Sequence, residues 1–345
     1  MKTGMKMDAG LPPTAPVDVR HYAGLAEQAG YDALWTSEVR HDPLLQLTLA
    51  ATVTDRIRLG TAIAVAFARN PMTLAVSAND VHAVSGGRLL LGLGSQVKPH
   101  ISRRFSMPWS QPAARMREFI CALHAIWDSW NQGTRLRFEG DFYTHTLMSP
   151  FFNPGPNEYG SPPVYLAGVG DRMTEVAGEV ADGFIVHGFT TERYLREVTL
   201  PALRRGRERS GRSMDGFEVS GAPFVATGRT EEELAAARDA VRGQIAFYAS
   251  TPAYRPVLDL HGWTDLGDQL HTLSLQNRWQ EMGALIDDDV LDAFAVVGEP
   301  ESVGAELVRR YGDLMTRAGL YTPYELDPQV AVAIAADVRA AADAS

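Results

Sequence analysis

The chain has 345 residues, 45% of them hydrophobic and 21% charged, so it can bury a sizeable core. A net charge of −10, from 32 basic and 42 acidic residues, speaks against a general nucleic-acid surface. A lone cysteine, Cys121, excludes an intrachain disulfide, and no apolar run approaches the ~20 residues of a membrane span.

Residues 1–13 lack an apolar signal core, so a cytoplasmic location is expected. A short first strand is expected over residues 3–8. Residues 17–30 read as a helix stopped by Gly30, and residues 31–37 ("YDALWTS") as a second strand. Pro43, a favoured first-turn residue, opens a helix over 43–54. A nearly all-apolar third strand covers 57–67, and a helix over 71–85 closes at Gly86–Gly87. "RLLLGLGS" (88–95) is a fourth strand.

The helix over 111–131 carries one apolar stripe: Met116, Phe119, Ile120, Leu123, Ile126, Trp127 and Trp130. Cys121 sits beside that stripe and reads as packing rather than as a nucleophile. Residues 136–145 look like a hairpin, followed by a Pro/Gly-rich stretch to 163. Strands five and six are "PVYLAGVG" (163–170) and "DGFIVHG" (182–188). The densest basic run, "RRGRERSGR" (204–212), reads as a solvated helix end, with a phosphate-binding patch as the alternative. A seventh strand follows over 217–227, then a helix over 230–249 with its acids at the favoured amino end. "LDAFAVVGEP" (291–300) is the expected eighth strand, before a helix over 301–317 and an Ala-rich closing helix.

Strands alternating with helices, and apolar enough to be covered on both faces, imply a parallel sheet. Eight such units predict a (β/α)8 TIM barrel in a single domain, 1–345, with insertions after strand 4 (132–162) and strand 7 (250–290) and a helical tail over 327–345. An open doubly wound sheet is the alternative. The second insertion, with "PAYRPVLDLHGW", has the aromatic and polar groups of a lid.

Ligands of such barrels bind at the carboxyl ends of the strands. Strand two ends in "TSEVRHDP" (36–43), where Glu38, Arg40, His41 and Asp42 crowd one junction. Asp42 is also placed to cap the next helix. Strand five ends in Ala167, Gly168, Val169 and Gly170, immediately before a helix. Such a turn suits a phosphate: glycines permit close approach, and unpaired amides at a helix start favour an anion. A plain tight turn is the alternative. It matches neither a nucleotide P-loop nor a Rossmann fingerprint. Gly94, Ser95 and Gln96 offer donors after strand four. Lys98 lies beyond the strand end and reads as solvated rather than as an amine nucleophile. The nine histidines form no H-E-x-x-H and no close metal-ligand pair, and no G-x-S-x-G elbow occurs.

Together "GYDALWTSEVRHDP", "RIRLGTAIAVAFARNPMTLA", "SGGRLLLGLGSQ" and "VADGFIVHG" resemble the bacterial-luciferase-like flavin or deazaflavin oxidoreductases, in order and spacing across roughly residues 1–320. The run from Gly94 to Glu118 is most similar to the branch that uses the deazaflavin coenzyme F420. The resemblance implies a tricyclic ring at the strand ends and a non-proline cis peptide at Ala62–Ile63 backing it. It also implies the cofactor phosphate at Ala167–Gly170, Ser95 and Gln96 near the ring's polar edge, and Glu38 beside the ring. Sugar-phosphate dehydrogenases of this family carry a histidine directly after that acid, where this chain has Val39.

The expected activity is hydride transfer between F420 and a small organic substrate, with His41 or His187 moving the proton. Arg103, Arg104, Phe105 and Trp109 are candidates to hold cofactor or substrate, with exposed surface as the alternative. An FMN-dependent monooxygenase is the alternative activity, and a non-catalytic cofactor-binding protein a third. No metal, nucleic-acid or membrane partner is expected, and the resemblance implies a homodimer.

Overall fold

The structure, a computed structural model, describes residues 4–343. Thr3, where the first expected strand begins, and residues 344–345 of the expected tail lie outside the described residues. The barrel strands are β1 (Lys6–Gly10), β2 (Ala33–Thr36), β3 (Arg58–Thr61), β4 (Leu89–Gly94), β5 (Val164–Ala167), β6 (Gly183–Ile185), β7 (Glu218–Gly221) and β8 (Arg317–Ala318). Each pairs in parallel with the next, and β8 pairs with β1 to close the ring. This is the (β/α)8 barrel that the alternating pattern predicts.

Local chemistry sets the helix starts. The Asp42 carboxylate accepts from the N–H groups of Leu44 and Leu45 ahead of the helix Pro43–Ala51. Asn70 does the same for Met72 ahead of Pro71–Val84. All six residues of β4 are buried, as expected for a parallel strand covered on both faces. Trp35 and Tyr165 meet edge-on inside the barrel, 5.7 Å between ring centroids. They fit because β3 and β6 carry glycine beside them: a Cβ on Gly60 or Gly183 would lie 2.3 Å or 2.4 Å from those rings.

The eighth strand is not the expected one. Residues 295–298 do form a strand, but Ala295–Gly298 pairs with Phe224–Thr227 outside the barrel. The expected seventh strand thus splits in two. Pro223 has no N–H to give a ladder, and the chain leaves β7 there to join this side pair. The ring is closed instead by Arg317–Ala318, at the end of what the sequence suggested was a helix. That helix runs only over Pro300–Tyr311. The third strand is likewise interrupted after Thr61 and resumes at Ala64–Val65.

Between the helix Pro112–Gln132 and β5 the chain forms a hairpin, Phe138–Glu139 against Thr144–His145. Residues 250–290 form mainly short helices, among them Arg255–Leu260 and Thr264–Leu275. Phe189, Phe224, Phe294, Val241 and Leu258 bury a second core beneath them, which fixes this segment against the barrel mouth. The basic run 204–212 is partly engaged: Arg205 and Arg209 reach Glu175 at 2.8 Å and 3.0 Å. Burial pushes the Cys121 thiol up, away from a reactive thiolate. Among the described residues no helix is long and apolar enough to cross a membrane.

Candidate active site

All eight strand ends contribute to one cavity of about 1280 Å³. It exceeds the usual range for drug-sized ligands, roughly 300–1,000 Å³. Ala62, Ile63, Gly94, Ser95, Gln96, the 167–170 turn and His187 all line it. Glu38 and His41 do not.

The wall after β3 is a bulge built around the cis peptide Ala62–Ile63. Leu59 and Gly60 pair with Leu89 and Leu90, whereas Ala64 and Val65 pair with Leu93 and Gly94. The pairing offset drops by one between the two stretches, so the third strand carries one extra residue, the signature of a β-bulge. Gly92 makes this possible: a Cβ there would lie 1.8 Å from the Thr61 carbonyl oxygen. The Thr61 hydroxyl donates to the Gly92 carbonyl at 2.6 Å.

Glu38 holds this bulge from behind. Its N–H donates to the Ile63 carbonyl at 3.2 Å. Its carboxylate accepts from the Val65 N–H at 2.7 Å and from Arg69 at 2.5 Å. Arg69 also donates to Asp42 at 2.9 Å. The polar stretch that closes strand two thus scaffolds the wall rather than facing the cavity. His41 is exposed. Replacing Arg69 with methionine should leave the Glu38 carboxylate, 11% exposed, short of a partner and destabilise the protein by about 2 kcal/mol. Hydrogen exchange should quicken at the Val65 amide; unchanged protection there would dissociate the pair from the bulge.

The turn after β5 ends at Gly170, with φ +80°, a backbone that L side chains rarely adopt. The helix Asp171–Val180 follows, and no side chain caps its start. Its first-turn N–H groups therefore remain available to an anion, and Arg172 lines the same part of the wall. Lys98, read from sequence as solvated, is exposed yet also borders the cavity. Trp109 lines it and packs on Phe67. Arg103 and Arg104 stay outside, Arg104 donating to the Val39 carbonyl.

His187 sits in the wall after β6, and both of its ring nitrogens are engaged. Nδ1 accepts from the Phe189 N–H at 3.0 Å, and Nε2 lies 3.0 Å from the Tyr254 hydroxyl. Burial pushes its pKa down to about 4, so the ring is neutral near neutral pH.

Asp8 and Tyr254 were not singled out from sequence, although both line the cavity. Asp8 accepts from Trp35 Nε1 at 2.8 Å and from Arg317 at 2.8 Å and 2.7 Å. Burial works against the Arg317 charge, but Asp8 and Glu218 offset it and hold the guanidinium's pKa above its ordinary value. The signal for this pair was an acid inside the apolar "KMDAG". For Tyr254 it was the aromatic in "PAYRPVLDL". Among the described residues no cluster of three His, Cys, Asp or Glu side chains could hold a metal.

The chain is 53% identical over 313 residues to an uncharacterized protein of Mycobacterium tuberculosis, covering 91% of this chain and 92% of that one. It is 29% identical to the 5,10-methylenetetrahydromethanopterin reductase of Methanolobus tindarius, over 86% of this chain and 87% of the other. Its fold matches the structure of the coenzyme F420-dependent tetrahydromethanopterin reductase from Methanopyrus kandleri with a TM-score of 0.76, at 21% identity, covering 96% and 97% of the two chains. The model of the luciferase-like monooxygenase family matches residues 3–317. A barrel whose strand ends surround one large cavity, backed by the Ala62–Ile63 bulge, is thus that of a member of the luciferase-like monooxygenase family.

Proposed function

We propose that the protein is an F420-dependent oxidoreductase acting on a small organic substrate. The observation that carries this reading is the single cavity spanning from the uncapped helix start at Gly170 to the bulge at Ala62–Ile63. A long cofactor with a phosphate at one end and a flat ring at the other suits that span. The residues present fit such a group. Gly168 and Gly170 leave the amides of the turn approachable, Ala62, Ile63 and Gly94 offer an apolar bed, and Ser95 and Gln96 offer polar groups beside it. When bound, F420 would supply a hydride donor or acceptor; the chain's part is to orient it and keep water out. The 28% identity to the F420-dependent glucose-6-phosphate dehydrogenase of Beutenbergia cavernae, over 80% of this chain and 81% of the other, supports F420 over FMN.

Fluorescence titration of the purified protein with F420 and with FMN tests the reading. Micromolar binding of F420 is expected. Binding of FMN alone would replace the proposal with a flavin monooxygenase. Gly170→Val places a side chain in a backbone region that costs of order 1–3 kcal/mol. It should weaken cofactor binding by about 10- to 100-fold while leaving the far-ultraviolet dichroism unchanged. Wild-type affinity in this variant would remove the phosphate assignment.

A further inference from the structure

Tyr254 and His187 form a unit whose hydrogen directions can be deduced. A backbone N–H can only donate, so Nδ1 of His187, 3.0 Å from the Phe189 N–H, carries no hydrogen. The neutral ring therefore keeps its hydrogen on Nε2. Nε2 lies 3.0 Å from the Tyr254 oxygen, so with the hydrogen on Nε2 the ring donates and the phenol accepts. The hydroxyl hydrogen of Tyr254 is then left over. Among the described residues that oxygen has no other partner.

The unit is held firmly. The two rings stack, with centroids 4.6 Å apart and planes at 26°. Tyr248 meets His187 edge-on at 4.9 Å, and Phe189 packs on Tyr254 at 5.6 Å. Tyr248 is in turn tied to the Tyr321 hydroxyl at 2.8 Å. Both His187 and Tyr254 line the cavity. Burial, and then the neighbouring Tyr248, push the Tyr254 phenol up to about 12, so it stays protonated at neutral pH. A protonated phenol still has its hydrogen to give, and it cannot take one from an alcohol. His187, with both nitrogens committed, cannot serve as the base that an alcohol needs. Asp8 is bound to Arg317 and Trp35, away from the His187–Tyr254 pair.

We propose that Tyr254, oriented by His187, donates a proton to the heteroatom of a polarised C=O or C=N bond as that bond is reduced, so that carbonyl or imine compounds are substrates of this site. The inference rests on the oxidoreductase reading above. In the reaction the substrate carbon gains a hydride from the reduced deazaflavin, and the C=O or C=N π pair moves to the heteroatom. The heteroatom then takes the Tyr254 proton, giving the alcohol or amine. The resulting phenolate is stabilised by the His187 Nε2–H and regains a proton from solvent. His187 is thus a positioning residue, and Tyr254 is the proton donor.

Two measurements test this. Nitrogen NMR of histidine-labelled protein, without cofactor or substrate, should show His187 neutral and protonated on Nε2 near pH 7; a hydrogen on Nδ1, or an imidazolium, overturns the assignment. That result is independent of which cofactor binds. Turnover is then followed with reduced F420 and benzaldehyde, cyclohexanone and 1-pyrroline, and in reverse with benzyl alcohol and cyclohexanol. Tyr254→Phe should lower kcat for reduction by about 100-fold or more, with KM and the affinity for oxidised F420 close to wild type. His187→Gln, whose amide can still donate to the phenol, should retain more kcat than His187→Ala. Undiminished kcat in Tyr254→Phe, or oxidation of the alcohols without reduction of the carbonyls or the imine, overturns the proposal. Failure of F420 to bind at all would instead fault the cofactor reading.

Discussion

Asp8→Leu should destabilise the protein by about 3–5 kcal/mol, the cost typical of leaving a buried charge without its partner. The side chains of Asp8 and Arg317 are each 3% exposed. The carboxylate takes two of the guanidinium's donors, and the other charged neighbour, Glu218, is 3.5 Å from Arg317 and already engaged with Lys6. With Asp8 gone, Arg317 would keep most of its desolvation cost and lose most of its compensation. The double variant Asp8→Leu, Arg317→Met should recover much of the loss, because an apolar pair carries no such cost. Urea denaturation of both variants, at unchanged m-value, checks this. A single variant within about 1 kcal/mol of wild type would mean the charge is solvated through the cavity.

The second large effect concerns acid. The ordinary histidine pKa is 6.5, and burial takes His187 to about 4 in the folded protein. As pH falls through 6.5 the unfolded chain binds a proton at this ring and the folded one does not. Between those values the unfolded state binds more protons, so stability declines toward lower pH. The decline attributable to His187 reaches at most about 3 kcal/mol by pH 4 and is absent above pH 6.5. Burial also lowers the pKa of His82, His124, His145 and His261, so the total slope is not the readout. The difference between wild type and His187→Gln is. Denaturant midpoints of the two proteins should converge as pH falls from about 7 to about 4. Curves that stay parallel would show that His187 takes up its proton equally well in the folded state.

Much of this was legible in the residues. The barrel followed from apolar strands alternating with helices, and the glycine turn after β5 declared itself by composition. The misassigned eighth strand shows where pattern fails. Arg317–Ala318 is too short for any periodicity, and it begins with a charge that only a distant acid makes tolerable. "AFAVVG" has the better strand composition, yet it pairs outside the ring because Pro223 diverts its neighbour there. The junction "TSEVRHDP" was read correctly as lying at a strand end. Its direction was not readable, because Arg69, which draws Glu38 and Asp42 behind the wall, lies 27 residues and more further along. His187 was visible in "GFIVHG", but its role depends on the Phe189 amide and on Tyr254, 67 residues further along, and no local motif reports that pairing.

The Asp8 carboxylate joins residues at two very different separations. Its bond to Trp35 spans 27 residues and its bonds to Arg317 span 309. Chain-closure entropy grows only with the logarithm of length, so the longer link costs about 2 kcal/mol more than the shorter one. The hydrogen-bonded register at that junction consists of two residue pairs, Lys6 with Arg317 and Met7 with Ala318. Sealing the circle between the last strand and the first thus meets a large entropic cost with very little ladder, and the buried ion pair acts there as a clasp.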